Sequence, residues 1–273
     1  KISAQQYTLK FNADGGSVSE STKTVYYGDV VNLPTATKTE GMINYESISW
    51  TNDVGKYETT WKCDYGNLNG KTTVEFSPMW KAVSVNRSEN YSANPLKWVS
   101  TGASAEWRYI ERDIPKNIKV TKITVDASMG VNSMFEDRYF ELDTYIYDGN
   151  SSTRILHKNS GVFRNNWWQN RSTSDHVDKY PNSHLSKIRC GFYYSTSVSG
   201  GKSNNCWAEF KVNIDYIQSI DDYKQEMNKQ IEELNNAIRD YESRYDRLTN
   251  DEKQLLEQMK QARDYMNQLI AGL

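Results

Sequence analysis

The amino-acid composition of the chain changes abruptly near residue 208. All eight Trp, all five Pro and all three Cys precede that point, whereas the residues from Ile220 onward contain no Trp, no Pro and a single Gly, Gly272. Pro and Gly interrupt helices and mark the turns between strands. This contrast predicts a β-rich portion followed by a helical C-terminal segment. The length of 273 residues favours two or three domains over one.

The overall composition excludes several classes of protein. The formal net charge of −2 gives no general attraction to nucleic acid or to an anionic membrane surface. No apolar run approaches the roughly 18 residues that a membrane-spanning helix needs. We therefore expect neither a nucleic-acid partner nor direct membrane insertion. Aromatic residues make up 12% of the chain, enough to fill β-rich cores, because one buried aromatic removes roughly 150–250 Å² from water.

Residues 1–83 contain short alternating runs that end at turn residues. Residues 7–11 alternate apolar and polar side chains and stop before Asp14-Gly15-Gly16, and residues 30–33 stop at Pro34. Alternation with a period of two, ended by Gly, Asp or Pro, is typical of strands joined by turns. We therefore expect a small β-domain in this segment.

The same segment resembles a known bacterial repeat. Residues 7–16 are similar to the opening of the Listeria–Bacteroides repeat, the internalin B-repeat, and the resemblance extends over about residues 6–82. Two segments depart from the family: residues 41–45 replace its Gly-aromatic-x-aromatic segment, and residues 61–71 look like an insertion. Further matching positions are Val25, Tyr27-Gly28-Asp29, Pro34, Glu40-Gly41, Trp50 and Met79-Trp80.

This resemblance carries expectations about structure and location. It implies a β-grasp-like module of a bacterial cell-surface protein, with no catalytic activity. In that family the module serves as a stalk or as a co-receptor-binding unit, so the resemblance leaves both roles open.

Residues 84–217 also show the alternation of β-strands. Asp148-Gly149-Asn150 and Gly200-Gly201 are typical of hairpin turns, and no helical pattern intervenes. Six or more strands of this kind indicate an aromatic-rich antiparallel β-sandwich, jelly-roll-like in type. The polar stretch at residues 84–95 is interpreted as a linker or loop. The alternating runs are residues 105–114, 118–125, 139–147, 154–157, 187–194 and 207–214.

Residues 218–273 have the periodicity of a helix. Apolar residues recur three and four positions apart, which indicates one apolar stripe. The unbroken heptad register fits a single coiled-coil helix, whereas Thr249 and Glu252 have the spacing of a capping box that begins a second helix. The stripe consists of Ile220, Met227, Ile231, Leu234, Ile238, Tyr241, Tyr245, Leu248, Leu255, Met259, Ala262, Met266 and Leu269.

A second resemblance favours an antiparallel helical hairpin that turns near residues 248–250. Residues 245–253 are similar to the Tyr-Asp-x-Leu-Thr-x-x-x-Lys turn of helical repeats in Gram-positive surface proteins, over about residues 235–273. A two-helix hairpin has little core of its own, so we expect it to pack on residues 84–217, on a second copy, or on an absent neighbour. Its net charge of −4, from twelve acidic and eight basic residues, is typical of a solvated or partner-binding face.

No motif for catalysis or for cofactor binding is present. The sequence has no nucleophile elbow, phosphate loop or HExxH helix, so we expect no enzymatic activity, no cofactor and no metal. Asp175-His176-x-Asp178 is a dense polar cluster, interpreted as a solvated loop rather than a metal site. Cys190 and Cys206 flank a turn and fit either a disulfide or buried free thiols. Acidic residues interpreted as solvent-facing strand positions are Glu106, Glu111, Glu136, Asp137 and Glu141.

Two consecutive tryptophans give the sharpest sequence signal for ligand binding. Trp167 and Trp168 lie in a run of amides with Asn166, Gln169 and Arg171. Flat indole faces beside such donors suit the apolar C–H faces and the hydroxyls of sugar rings, and they equally suit a protein hot spot. The opposing interpretation is that both indoles are buried or capped, since Trp is highly buried on average. Tyr193-Tyr194 raises the same question more weakly.

These features together predict a non-enzymatic fragment of an extracellular bacterial surface protein. The adhesin-like interpretation places a binding site for a host glycan or a host protein, such as a secreted immune protein, on the β-sandwich. The helical tail is then a spacer or a dimerisation element. One alternative is a structural stalk that displays another domain, and another is a carbohydrate-binding accessory region of a secreted enzyme.

Overall fold

The computed structural model describes residues 5–100, 105–132, 138–163, 171–196 and 204–273. Side chains are described within residues 5–92, 106–130, 139–159, 172–195 and 207–273. The chain is mainly antiparallel β-structure followed by helices. It divides into two compact units: the first comprises Lys1–Asn86 and Ser219–Leu273, and the second comprises Arg87–Gln218.

The first unit contains a mixed β-sheet. Strand β1 pairs antiparallel with β3 and in parallel with the start of β9, which continues antiparallel beside β6. The elements are β1 (Gln6–Phe11), β2 (Ser17–Val18), β3 (Thr22–Tyr26), β4 (Val30–Asn32), β5 (Ala36–Glu40), β6 (Ile43–Thr51), β7 (Lys56–Tyr57), β8 (Thr60–Lys62), the short helix α1 (Tyr65–Leu68) and β9 (Thr73–Ser100).

Aromatic packing forms the core of this first β-sheet. Phe76 is fully buried, and its ring centroid lies 5.2 Å from that of Phe11 and 5.9 Å from that of Trp61. Trp50, which the repeat resemblance singled out, is also buried, and its indole Nε1 donates a hydrogen bond to the Pro34 carbonyl oxygen at 2.7 Å. Residues 61–71, which resemble an insertion, therefore supply core side chains, Leu68 among them.

Two separate helices follow the strands, so residues 218–273 do not form one continuous helix. They are α2 (Ile220–Ser243) and α3 (Asn250–Gly272), with a 3₁₀ turn at Tyr245–Arg247 between them. The Thr249 side chain accepts from the Glu252 amide while Glu252 accepts from the Thr249 amide, a capping box that satisfies two donors at the start of α3.

The helical hairpin has a small core and a second anchor on the sheet of its own unit. Ile238, Leu248 and Leu256 pack together between the helices, and Lys260 pairs with Glu242 at 2.9 Å. Ile220 packs against Ala82 and Val85 of β9. Val85 belongs to residues 84–217, which were among the packing partners expected for the hairpin, whereas Ala82 precedes that segment.

The second unit is a β-sandwich in the coarse sense of two facing sheets. One sheet has the order β10-β15-β12-β13, and the other contains β14-β11-β16 and the later part of β9. Their inner faces share one large apolar core that includes Val125, Leu142, Phe192 and Phe210. The strands are β10 (Ala105–Asp113), β11 (Ile118–Asn132), β12 (Arg138–Asp148), β13 (Ser151–Phe163), β14 (Arg171–Lys179), β15 (Lys187–Thr196) and β16 (Asn204–Ser219).

Two segments interpreted as loops are in fact strands. Residues 84–95 belong to β9, and residues 175–178 belong to β14, which pairs with β11. Both are polar because their side chains meet other polar groups: Arg87 donates to Gln218, Ser88 donates to Asn213, and Thr124 donates to Asp178. Because these segments lack apolar alternation, the sequence pattern did not predict their extended backbone.

The described cysteine side chains are free thiols. Cys63 and Cys190 are both buried and unbonded, and the side chain of Cys206 lies outside the described residues. Cys190 accepts a long hydrogen bond from the Thr144 hydroxyl at 3.9 Å, and burial raises its pKa to about 11. The buried-thiol interpretation therefore holds for Cys190.

Within the described part of the chain, no helix combines the length and the apolar character needed to cross a membrane.

The capping box gives a first prediction. Thr249→Ala removes one acceptor at the α3 N-terminus and should destabilise the first unit by about 1 kcal/mol. Urea denaturation followed by far-UV circular dichroism measures the change. Gln254→Ala, an exposed substitution inside the same helix, is the matched control and should stay within a few tenths of a kcal/mol. Equal stability of Thr249→Ala and the control would show that the box contributes nothing.

Candidate functional site

Among the residues whose side chains the structure describes, six aromatic side chains lie on the outward face of the β10-β15-β12-β13 sheet. In β12, Phe140 and Leu142 are buried, while the residues that alternate with them are directed away from the core, as the period of two in a strand requires. The antiparallel register places outward residues of β10 and β15 beside them. We call this surface the aromatic face, formed by Trp107, Tyr109, Tyr139, Tyr145, Tyr147 and Tyr193.

A glycine makes room for one tyrosine ring close to the sheet. A Cβ atom at Gly191 would lie 2.7 Å from Tyr109 Cε1 and 3.4 Å from Trp107 Cε3. The Tyr109 ring therefore occupies the space above the Gly191 backbone, its cross-strand partner. The rings of Trp107 and Tyr109 are parallel within 5°, with centroids 5.6 Å apart. Tyr109 remains 43% exposed, so part of its side chain is open to solvent.

The aromatic face continues from β10 to β12. The ring centroid of Tyr193 lies 5.2 Å from that of Trp107 and 6.1 Å from that of Tyr139. Edge-to-face and tilted pairs at these distances stabilise each other by about 0.5–1.5 kcal/mol beyond burial. The rings thus hold one another in place across three strands.

An arginine lies among the tyrosines at the other end of the face. The Arg189 guanidinium carbon lies 4.5 Å from the ring centroid of Tyr109, 5.3 Å from that of Tyr145 and 5.4 Å from that of Tyr147. Its nearest carboxylate is that of Glu111, at 3.8 Å. Among the described residues, the buried Arg189 Nε has no hydrogen-bond partner. Cation–π contact therefore holds this side chain.

A buried carboxylate lies at the centre of the same face. Asp143 is 4% exposed, and its Oδ1 lies 2.7 Å from His157 Nδ1 and 3.7 Å from Arg154 Nη1. A buried carboxylate is costly unless it is paired and hydrogen-bonded. These contacts provide the required partners.

Next to Asp143 on β12 is a second carboxylate with a tyrosine partner. Tyr139 donates a hydrogen bond to Glu141, and Asn159 donates to the Tyr139 hydroxyl. The hydrogen bond to Glu141, reinforced by burial, raises the pKa of Tyr139 to about 12. Tyr139 is therefore a neutral donor that orients Glu141.

The ligand-binding residues predicted from the sequence lie largely outside this description. Asn166, Trp167, Trp168 and Gln169 fall outside the described residues, as does the side chain of Arg171, whose backbone begins β14 opposite Val131.

The structure places the two residues of the Tyr193-Tyr194 pair on opposite faces of β15. Tyr194 is fully buried, whereas Tyr193 belongs to the aromatic face. Glu111 and Glu141 lie on that face, as their interpretation as outward strand positions requires. The aromatic alternation along β10 and β12 was the available signal, but it did not reveal which strands pair.

His176, part of the polar cluster noted in the sequence, lies on the outward side of the opposite sheet. Its Nδ1 is 2.7 Å from Asp126 Oδ1, and its Nε2 is 3.7 Å from Asp178 Oδ1. The hydrogen bond to Asp126 raises the pKa of His176 above its ordinary value of 6.5. Lys122 pairs with Asp178 at 3.0 Å, so a cation already occupies this cluster.

Comparison with known proteins identifies no family. No family model matches the chain, and no curated protein matches it.

Solved structures with a distant likeness include viral capsid proteins and a carbohydrate-binding module. A T=1 particle derived from infectious bursal disease virus is 10% identical, with a TM-score of 0.35 over 80% of this chain and 55% of that one. A carbohydrate-binding module of the β-sandwich superfamily is 10% identical, with a TM-score of 0.26 over 80% of this chain and 99% of that one. Likeness at this level identifies neither a family nor a ligand.

The contact between Tyr109 and Gly191 gives a second prediction. Gly191→Ala introduces the clashing Cβ and should cost about 1–3 kcal/mol of stability, as overpacking does. The double variant Gly191→Ala/Tyr109→Ala should recover part of that loss, because the ring that clashes is gone. Denaturant titration of the four proteins measures the coupling energy, and purely additive losses would contradict the close contact.

The pKa of His176 gives a third prediction. Asp126→Asn should lower the midpoint of the His176 titration followed by NMR, because it removes the carboxylate that stabilises the imidazolium. Asp175→Asn, next to His176 but bonded only to its backbone amide, is the control and should change the midpoint less. Since the folded pKa is raised, the contact stabilises the fold most below pH 6.5, and the contribution fades as pH rises through the folded value. An unchanged midpoint in Asp126→Asn would exclude the contact.

Proposed function

We propose that the β-sandwich of Arg87–Gln218 is a non-catalytic carbohydrate-binding module of an extracellular bacterial surface protein. The observation that carries the proposal is the parallel stacking of the half-buried Trp107 with Tyr109, which is 43% exposed. Pyranose rings present apolar C–H faces that stack on such surfaces, while their hydroxyls need hydrogen-bond partners. A flat aromatic surface bordered by polar side chains satisfies both requirements.

Preorganisation supports this proposal. The Tyr109 ring rests on the Gly191 backbone, and Trp107 contacts both Tyr109 and Tyr193. Side chains that are already fixed lose little conformational entropy when a ligand binds. The rings lie on paired strands, which hold them more rigidly than a loop would.

The charges on this surface favour a neutral glycan. The cations Arg189, Lys187 and Arg154 are balanced by Glu111, Asp143 and Glu141. A balanced surface gives little long-range attraction to a polyanion. The same polar groups, together with Asn159, are donors and acceptors for sugar hydroxyls.

The surface location and the roles of the other segments rest on the sequence resemblances. The parallel pairing of β1 with β9, and the left-handed turns at Asp14-Gly15 and at Gly41, support a β-grasp-like stalk module in residues 1–83. The helical hairpin is a spacer or a dimerisation element. The sandwich is jelly-roll-like, and its ligand is a host glycan or the glycan of a host glycoprotein.

The predicted patch of Trp167, Trp168, Asn166, Gln169 and Arg171 remains a second candidate surface for the same ligand. Two other functions remain in competition with the adhesin-like one. A structural stalk would bind no glycan. An accessory region of a secreted enzyme would bind polysaccharide substrates in preference to host glycans.

A glycan array followed by calorimetric titration of the best ligand tests the proposal. Trp107→Ala, Tyr109→Ala and Tyr193→Ala should each weaken binding at least about tenfold, since removal of a stacking ring typically costs more than about 1.4 kcal/mol. Tyr180→Ala, an exposed tyrosine elsewhere in the same unit (66% exposed), is the control and should bind like the wild type.

Variants of the predicted tryptophan patch and the pattern of glycans bound distinguish the alternative sites and functions. Loss of binding in Trp167→Ala and Trp168→Ala, with the three aromatic-face variants unaffected, would move the site to the predicted patch. Absence of binding to every glycan would support the structural stalk. Exclusive binding to plant or microbial polysaccharides would support the accessory region of an enzyme.

A further inference from the structure

Three side chains of metal-binding type converge on the aromatic face. Glu141, Asp143 and His157 each offer one ligand atom, and these atoms all lie within 4.8 Å of one another. Among the described residues, no other cluster of His, Cys, Asp and Glu meets this criterion. Asp143 is buried, Glu141 is half-buried and His157 is exposed, so the group opens toward solvent on one side.

The strand register produces this convergence. Glu141 and Asp143 are two residues apart on β12 and therefore lie on the same side of the sheet. His157 on β13 is the direct cross-strand partner of Asp143, and such partners have Cβ atoms about 4.5–5.5 Å apart. Two residues on one strand and one on its neighbour thus bring three possible metal ligands close together on a rigid sheet.

The surrounding contacts orient the three side chains. Asp143 and His157 are already in contact, with 2.7 Å between Oδ1 and Nδ1. Glu141 accepts a hydrogen bond from Tyr139, which in turn accepts one from Asn159. Partners that hydrogen-bond to ligating carboxylates fix their direction and support metal affinity.

The net charge of the three side chains and their neighbours is compatible with the binding of a divalent cation. Two carboxylates and an imidazole are offset chiefly by Arg154, whose Nη1 lies 3.7 Å from Asp143 and whose side chain is 49% exposed. A long, half-exposed side chain can withdraw into solvent at small cost. A divalent cation would then neutralise the buried carboxylate that Arg154 now partners.

We propose that Glu141, Asp143 and His157 bind one divalent transition-metal ion, with Zn²⁺ as the reference ion. Three protein ligands with a fourth position open to solvent are typical of Zn²⁺ sites that are not purely structural. Imidazole beside carboxylates suits Zn²⁺, Ni²⁺ or Mn²⁺, whereas Ca²⁺ requires six to eight oxygen ligands. The metal site shares Glu141 and Asp143 with the proposed glycan-binding face, but its test requires no glycan and its outcome does not depend on glycan binding.

Calorimetric titration of the full chain with Zn²⁺ measures the site directly. The wild type should bind one equivalent, and this binding should be lost in His157→Gln. Tyr139→Phe, which keeps the ring and removes the hydroxyl that orients Glu141, should weaken it about tenfold. Ca²⁺ should not compete. Near-UV circular dichroism of each variant shows whether the aromatic face stays folded.

His176 provides a matched control, because its Nδ1 also lies 2.7 Å from an aspartate oxygen, that of Asp126. His176→Gln should bind Zn²⁺ like the wild type if the site is the three-residue cluster. Loss of binding in His176→Gln with His157→Gln unaffected would place the ion on the opposite sheet and overturn the proposal. Absence of stoichiometric binding to the wild type would overturn it as well.

Discussion

The arrangement of aromatic rings on the exposed face of the second unit depends on Gly191, which has no side chain. Any Cβ there would overlap the Tyr109 ring, and the ring would have to stand away from the sheet. With Gly191 in place, the Tyr109 ring lies against the Gly191 backbone and stacks in parallel with Trp107. Burial of Ile188, Cys190 and Phe192 on the opposite face of β15 fixes that strand in the core. One strand thus determines both the packing inside the sandwich and the geometry outside it.

Local sequence pattern predicts the elements of this chain better than their arrangement. The strands around residues 107–111, 139–147 and 187–194 follow from apolar alternation, and the second helix follows from the capping box of Thr249 and Glu252. The polar strand β14 was not predicted, because Val177 is its one apolar residue and packs against the core from a half-buried position. A period-two signal requires apolar residues at alternate positions, and a single apolar residue does not provide it.

The candidate site was harder to predict because it depends on strand register. Tyr109, Gly191 and Asp143 are distant in sequence and become neighbours only through the pairing of β10 with β15 and of β15 with β12. Alternating aromatics indicate which residues share a face of one strand, but they do not identify the partner strand. The Trp167-Trp168 pair was conspicuous because both residues are adjacent in the sequence, where local reasoning is strongest.

The first unit is assembled from two segments that are separated by the whole of the second. Ile220 packs on Ala82 and Val85, yet a ribosome completes Arg87–Gln218 before it adds the helices. The apolar patch on β9 therefore stays uncovered while the sandwich emerges. Because of this order of synthesis, the β-sandwich can finish folding before the other unit does. The unit that contains Lys1–Asn86 is complete only when the C-terminal helices have been added.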